Sequence, residues 1–163
     1  MKSTRRKSRE FALQALYQWQ LTGGDPEDIA KQLREVPEFN RCDDDYFVLL
    51  LRGAVREVGE VEREVTPFLD RKYAELSPIE RGIIMLAGYE LLREPKVPYR
   101  VVINEAVELA KSYGGTDGHK FVNGVLDKLA GKLRDWEVPA RMMPAQDVVQ
   151  EQDVVQGNNE RTE

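Results

Sequence analysis

The segment Ser77-Pro78-Ile79-Glu80 and the helix it opens constrain this chain more than any other feature. Ser77 suits an N-cap, Pro78 suits the first helical position, and Glu80 stands where a capping box needs its acidic member. Behind it come Ile79, Ile83, Ile84, Met85, Leu86, Ala87, Leu91 and Leu92, which leave almost no polar face. A helix that is apolar nearly all round must be enclosed by other elements. The fold therefore needs neighbours on every side of this segment.

The rest of the chain offers helices to do this. Residues 5–22 place Phe11, Ala12, Ala15, Leu16 and Trp19 at helical spacing, and Gly23-Gly24 end the run. Asp25-Pro26 reads as N-cap plus Pro and opens a short helix to about Glu35, followed by a loop from Pro37 to Cys42. From Asp43, the positions Phe47, Leu50, Leu51, Ala54, Val58, Val61 and Val65 predict one helix of five turns, stopped by Pro67. Pro95 and Pro98 bracket the next connection. Val102, Ile103, Ala106, Val107 and Ala110 then mark a helix ended by Gly114-Gly115, and Val122, Val125, Leu126, Leu129 and Leu133 mark a last one over about Asp117 to Arg134. No stretch alternates with the period of a strand. The expectation is an all-α bundle of six or seven helices.

The net charge of -5, from 24 Lys and Arg against 29 Asp and Glu, speaks against a general nucleic-acid binder. Its distribution speaks differently. Residues 1–10 carry Lys2, Arg5, Arg6, Lys7 and Arg9 against Glu10 alone. Residues 136–163 carry Arg141 and Arg161 against an excess of acids, with Gln146-Asp147-Val148-Val149-Gln150 repeated as Gln152-Asp153-Val154-Val155-Gln156. The expected division is a helical domain over 1–136 and an acidic, low-complexity, disordered tail over 137–163. A tail that binds a partner or shields the basic head is the alternative.

Several classes drop out. Cys42 is the only cysteine and His119 the only histidine, which excludes an internal disulfide and a multi-His metal site. Uncharged apolar runs such as Ile83 to Tyr89 fall far short of the ~20 residues a membrane helix needs, and no apolar stretch follows the basic start as a signal peptide requires. His119 has no nucleophile placed near it by sequence and reads as a cap or surface contact. Gly114-Gly115-Thr116-Asp117-Gly118 follows a helix and lacks the Lys-Ser/Thr ending of a phosphate loop, so it reads as a connector. Asp43-Asp44-Asp45 lacks the spacing of a calcium loop and reads as acidic enrichment at a helix start.

Two features point toward RNA. Arg5, Arg6, Lys7 and Arg9 sit at the positive end of the first helix dipole, where each is opposed by ~0.3–1 kcal/mol. Either this end frays into solvent or it orders against a polyanion, with Tyr17 on roughly the same face to stack on a base. Near the last helix start, Lys120, Phe121 and Asn123 offer a cation, a stacking face and an amide; the alternative is a core-edge Phe with solvated neighbours.

Four blocks together resemble the NusB family of bacterial transcription antitermination factors. They are Arg5-Arg6-Lys7-Ser8-Arg9-Glu10 with Gln14-Ala15-Leu16-Tyr17-Gln18; Ser77-Pro78-Ile79-Glu80-Arg81 with Ala87 to Leu91; Val97 to Lys111; and His119-Lys120-Phe121-Val122-Asn123-Gly124-Val125-Leu126-Asp127-Lys128. The resemblance covers about residues 5–134. It implies two three-helix subdomains plus a seventh helix, and a cytoplasmic, non-enzymatic protein without cofactor. The implied RNA is the single-stranded boxA element of ribosomal RNA leader transcripts. The implied partners are the small-subunit ribosomal protein that doubles as NusE, RNA polymerase and the other Nus factors, with monomer and homodimer both open. Carried over residue by residue, Arg5, Arg6, Lys7, Arg9, Tyr17, Asp117, Lys120 and Phe121 line the RNA surface, and Phe68 and Glu80 the ribosomal-protein interface. Gly118 departs from the family, which usually has Ser there. The same module heads certain RNA cytosine methyltransferases, but no strand-rich domain or catalytic Cys pair follows here. A helical interaction scaffold without direct RNA binding is the competing expectation.

Overall fold

A computed structural model describes residues 4–139, and among these there are seven α-helices and no strand. They are α1 (Thr4–Thr22), α2 (Pro26–Arg34), α3 (Asp44–Arg56), α4 (Val58–Val65), α5 (Pro78–Arg93), α6 (Tyr99–Tyr113) and α7 (Gly118–Leu133). The helix α1 packs with α2 and α3, and α5 with α6 and α7, while α4 lies against α5. The central helix α5 touches α1, α3, α4, α6 and α7, as its all-round apolar sequence requires. On the α1–α3 side, the rings of Phe11, Phe39 and Phe47 form an edge-on chain with centroids 5.0 and 5.1 Å apart.

The local start signals act as their chemistry demands. Asp25 accepts from the Glu27 N–H at 2.9 Å, Asp43 from the Tyr46 N–H at 3.1 Å, and Ser77 Oγ from the Glu80 N–H at 3.2 Å. Gly23, at φ +66°, turns the chain out of α1. The loop expected over 37–42 contains a 3-10 turn, Pro37–Arg41.

One long helix from Asp43 to Val65 does not form. The chain bends at Glu57, between α3 and α4. A Cβ on Gly53 would come within 2.2 Å of the Tyr89 ring, and one on Gly88 within 2.5 Å of Val61 Cγ1. Gly53 and Val61, on either side of Glu57, thus pack closely on two adjacent residues of α5. The Glu57 carboxylate holds the corner by accepting from Arg56 and Arg93.

At the far end, Arg134 is wholly buried. Its guanidinium donates to the carbonyls of Glu90, Leu91, Glu94 and Val97 at 3.0, 2.7, 2.8 and 3.0 Å, and pairs with Glu137. The Glu90 and Glu94 carbonyls also accept the N–H groups of Glu94 and Val97, so the guanidinium reinforces the end of α5 there and supplies a donor to Leu91 and Val97. Val138 is also buried, so the ordered body runs past the boundary expected at 136. The duplicated segment lies outside the described residues.

Candidate nucleic-acid interface

The first turn of α1 is helical from Thr4, held by Ser8, whose hydroxyl donates to the Thr4 and Asp43 carbonyls at 3.0 and 2.7 Å. A fixed helix sends its basic side chains in different directions. Arg5 lies on the α3 side, its guanidinium 4.4 Å from the centre of the Tyr46 ring. Arg6 and Lys7 face α6. Arg6 donates two bonds of 2.9 Å to Glu105, and Lys7 pairs with Glu10 at 2.9 Å.

Arg9, expected from the sequence among the phosphate contacts, goes inward. It is 4 % exposed and donates two bonds of 2.8 Å to Glu90, itself 1 % exposed. The Tyr46 hydroxyl donates to the same carboxylate at 2.8 Å. Burial works against the Arg9 charge, but Glu90 outweighs it and Arg9 is held protonated. Burial, reinforced by the Glu90 charge, pushes the Tyr46 phenol well above its ordinary value. In this conformation Arg9 anchors α1 to α5 and presents nothing to a ligand.

Arg6 of α1 meets Glu105 of α6, and on α6 burial, with the Glu10 charge adding to it, raises the Tyr113 phenol above its ordinary value. Tyr17 follows on α1. It is 39 % exposed and walls a cleft of about 380 Å³ with Gln14, Gln18, Leu21, Leu33 and Ile79. An exposed ring between two amides suits stacking and edge contacts with an unpaired base.

Beside this cleft, the start of α5 meets the start of α7. A Cβ on Gly118 would lie 3.2 Å from Glu80 Oε1, so a serine here would require the Glu80 side chain to shift by a few tenths of an ångström. Glu80 is thus at the joint between α5 and α7, close to the RNA-side residues named from sequence. Its backbone N–H completes the Ser77 cap, while the reciprocal carboxylate bond of a capping box is not among the contacts. Asp117 and Lys120 pair across 3.6 Å at the exposed start of α7. Phe121 is half-buried against the core, and Arg71 covers its ring with the guanidinium 4.7 Å from the centroid. Arg71 is also paired with Asp70 at 2.8 Å. The core-edge reading and the stacking reading of Phe121 therefore meet in one side chain. Phe68 stands apart, half-buried in the 3-10 turn Thr66–Phe68 against the α7 side.

Three residues of this face escape a reading of the sequence: Glu105, Tyr113 and Arg71. The first two lie on α6, with Glu105 opposite Arg6, and Arg71 lies in an irregular connection. Only the packing assigns them. Among the described residues, no three His, Cys, Asp or Glu side chains are grouped to hold a metal ion.

The sequence model of the NusB family matches residues 6–131. The chain belongs to the NusB family. It is 53 % identical over 143 residues to the transcription antitermination protein NusB of Nitrosomonas europaea, covering 86 % of each chain. It is 57 % identical over 134 residues to that of Nitrosospira multiformis, covering 82 % of this chain and 85 % of the relative. Among solved structures, T. maritima NusB superposes with a TM-score of 0.70 at 29 % identity, over 87 % of this chain and 98 % of its own. A crystal structure of the antitermination factors NusB and NusE in complex with dsRNA superposes with a TM-score of 0.72 at 29 % identity, over 81 % and 99 %. NusB proteins are antitermination factors and not enzymes. Among the described residues, no helix is long and apolar enough to cross a membrane.

Proposed function

We propose that this chain is the RNA-binding factor of a cytoplasmic antitermination complex. It takes boxA-type single-stranded RNA from ribosomal RNA leader transcripts. It does so jointly with a NusE-type ribosomal protein, and the pair joins RNA polymerase and other Nus factors. The observation that carries the reading is the single face along α1, α6 and the start of α7. There Arg6, Lys7 and Lys120 supply phosphate contacts, and Tyr17 and Phe121 supply stacking surfaces. A NusB–NusE pair solved with dsRNA supports RNA as the class of ligand and a NusE-type protein as the partner. Arg5 adds a fourth phosphate contact from the α3 side, Asp117 sets the charge beside Lys120, and Phe68 and Glu80 are the proposed contacts for the ribosomal protein.

Titration settles the matter. The protein is mixed with a boxA-type strand, a scrambled strand and a duplex, each with and without the ribosomal protein. The expected result is preference for the boxA-type strand, sharpened by the partner. Equal affinity for all three RNAs defeats base recognition, and no RNA binding under any condition points to an interaction scaffold. Replacing Phe121 with Ala is expected to weaken the boxA-type complex by ~1–3 kcal/mol, the range for one stacked base.

A further inference from the structure

The cations of the α1–α6 edge already have carboxylate partners. Arg6 uses Nε and Nη2 to grip the two oxygens of Glu105, both at 2.9 Å. The Glu105 side chain is 16 % exposed against 40 % for Arg6, so the acid is set into the surface and the guanidinium lies over it. The Glu105 bond, aided by the charges of Glu108 and Glu10, holds Arg6 protonated more firmly than a free arginine. Carboxylates grouped around one arginine cancel much of its attraction at a distance. A surface built only to collect phosphate would leave them out.

The grip is also directional. A guanidinium carries five N–H donors in one plane. Glu105 takes the Nε–Nη2 edge, which leaves Nη1 and the second Nη2 hydrogen along another edge. That edge is itself a fork matched to a phosphate, and its direction is set by Glu105.

We propose that Glu105 is a specificity-determining residue for RNA: it fixes Arg6 to accept a phosphate from one direction and withholds it from strands that run otherwise. This rests on the RNA-binding reading above. A strand whose bases seat at Tyr17 and Phe121 brings one phosphate to the open edge and meets a side chain already ordered. A strand in another register must forgo Arg6 or draw it off Glu105. The second course leaves a half-buried carboxylate facing phosphates. Specificity through an unpaired like charge acts against the wrong ligand more than for the right one.

The experiment compares the full chain with Glu105→Gln, Arg6→Ala and the double variant. Binding to a boxA-type strand and a scrambled strand of equal length is read by fluorescence anisotropy at one salt concentration. Glutamine keeps the size and removes the charge. Glu105→Gln is expected to tighten the scrambled strand about two- to fivefold, the span of a partly exposed ion pair, and the boxA-type strand less. In the Arg6→Ala background the same substitution is expected to change neither. Glu105→Asp keeps the charge but shortens the reach, and is expected to weaken the boxA-type strand without tightening the scrambled one. Equal shifts for both strands, or an effect that persists without Arg6, overturn the proposal, because Glu105 would then act through overall charge or the fold. If the unaltered chain binds neither strand, the RNA-binding reading itself has failed. If it binds with preference and Glu105→Gln leaves the ratio unchanged, only this inference has.

Discussion

Arg5 and Arg9 lie one helical turn apart, and depth separates their roles. Arg9 with Glu90 and Tyr46 is a buried charge pair with a satisfied hydroxyl, whereas Arg5 rests on the outer face of the same ring. Removing one member of a buried pair strands the other, at ~3–5 kcal/mol. A cation over an aromatic ring at an exposed site contributes only ~0.5–1 kcal/mol. Arg9→Ala is therefore expected to lose ~3–5 kcal/mol in urea denaturation, and Arg5→Ala no more than ~1. Similar losses from the two would show that the Arg9 pair is not buried in solution. A combined alanine variant of Arg5, Arg6, Lys7 and Arg9 would confuse unfolding with lost RNA contact, so Arg9 must be left intact in tests of binding. The run Arg-Arg-Lys-Ser-Arg does not show this division. What separates its members is the side of α1 each occupies and Glu90, 81 positions away.

At the scale of the helix, beginnings were easier to read than continuations. Asp25-Pro26, Asp43 and Ser77-Pro78 mark starts because a cap needs only its own next few residues. The break at Glu57 lies between the packing of Gly53 on Tyr89 and of Val61 on Gly88, which no local pattern around Glu57 contains. Arg134 shows the same dependence: its place at the end of α7 follows from periodicity, but its partners are carbonyls at the end of α5. This side chain ties the last turns of the two helices into one unit. Arg134→Met keeps the length and apolar stem but leaves the Leu91 and Val97 carbonyls without a donor and Glu137 without its cation. The expected loss is at least ~3 kcal/mol, taken from the cost of breaking a buried charge interaction. At roughly 2–4 °C per kcal/mol for a chain of this size, that lowers the midpoint of thermal unfolding by roughly 6–12 °C. A change within ~2 °C would mean that water replaces the guanidinium at no loss and that the clamp does not hold the two ends together.

For the molecule as a whole, a net charge of -5 and the proposed phosphate-binding face are compatible because charge acts locally. At physiological salt the Debye length is ~8 Å, so acids on distant faces barely weaken cations at the RNA face. The number of cations in contact with phosphate therefore sets the salt dependence. Five cations, counting Arg9, would give a slope of log affinity against log salt near -3.5 for single-stranded RNA, at about -0.7 per phosphate. With Arg9 committed to Glu90, the set is Arg5, Arg6, Lys7 and Lys120, and the expected slope is near -2.8. Arg6→Ala and Lys120→Ala should each reduce its magnitude by about 0.7, while Glu105→Gln, which removes no phosphate contact, should leave it nearly unchanged. The measurement is the binding constant of the boxA-type strand over a series of salt concentrations. A flat dependence defeats the phosphate model outright. A slope near -3.5 that falls when Arg9 alone is replaced in a folded variant would mean that Arg9 leaves Glu90 on binding, and with it that α1 shifts against α5 to reach the RNA.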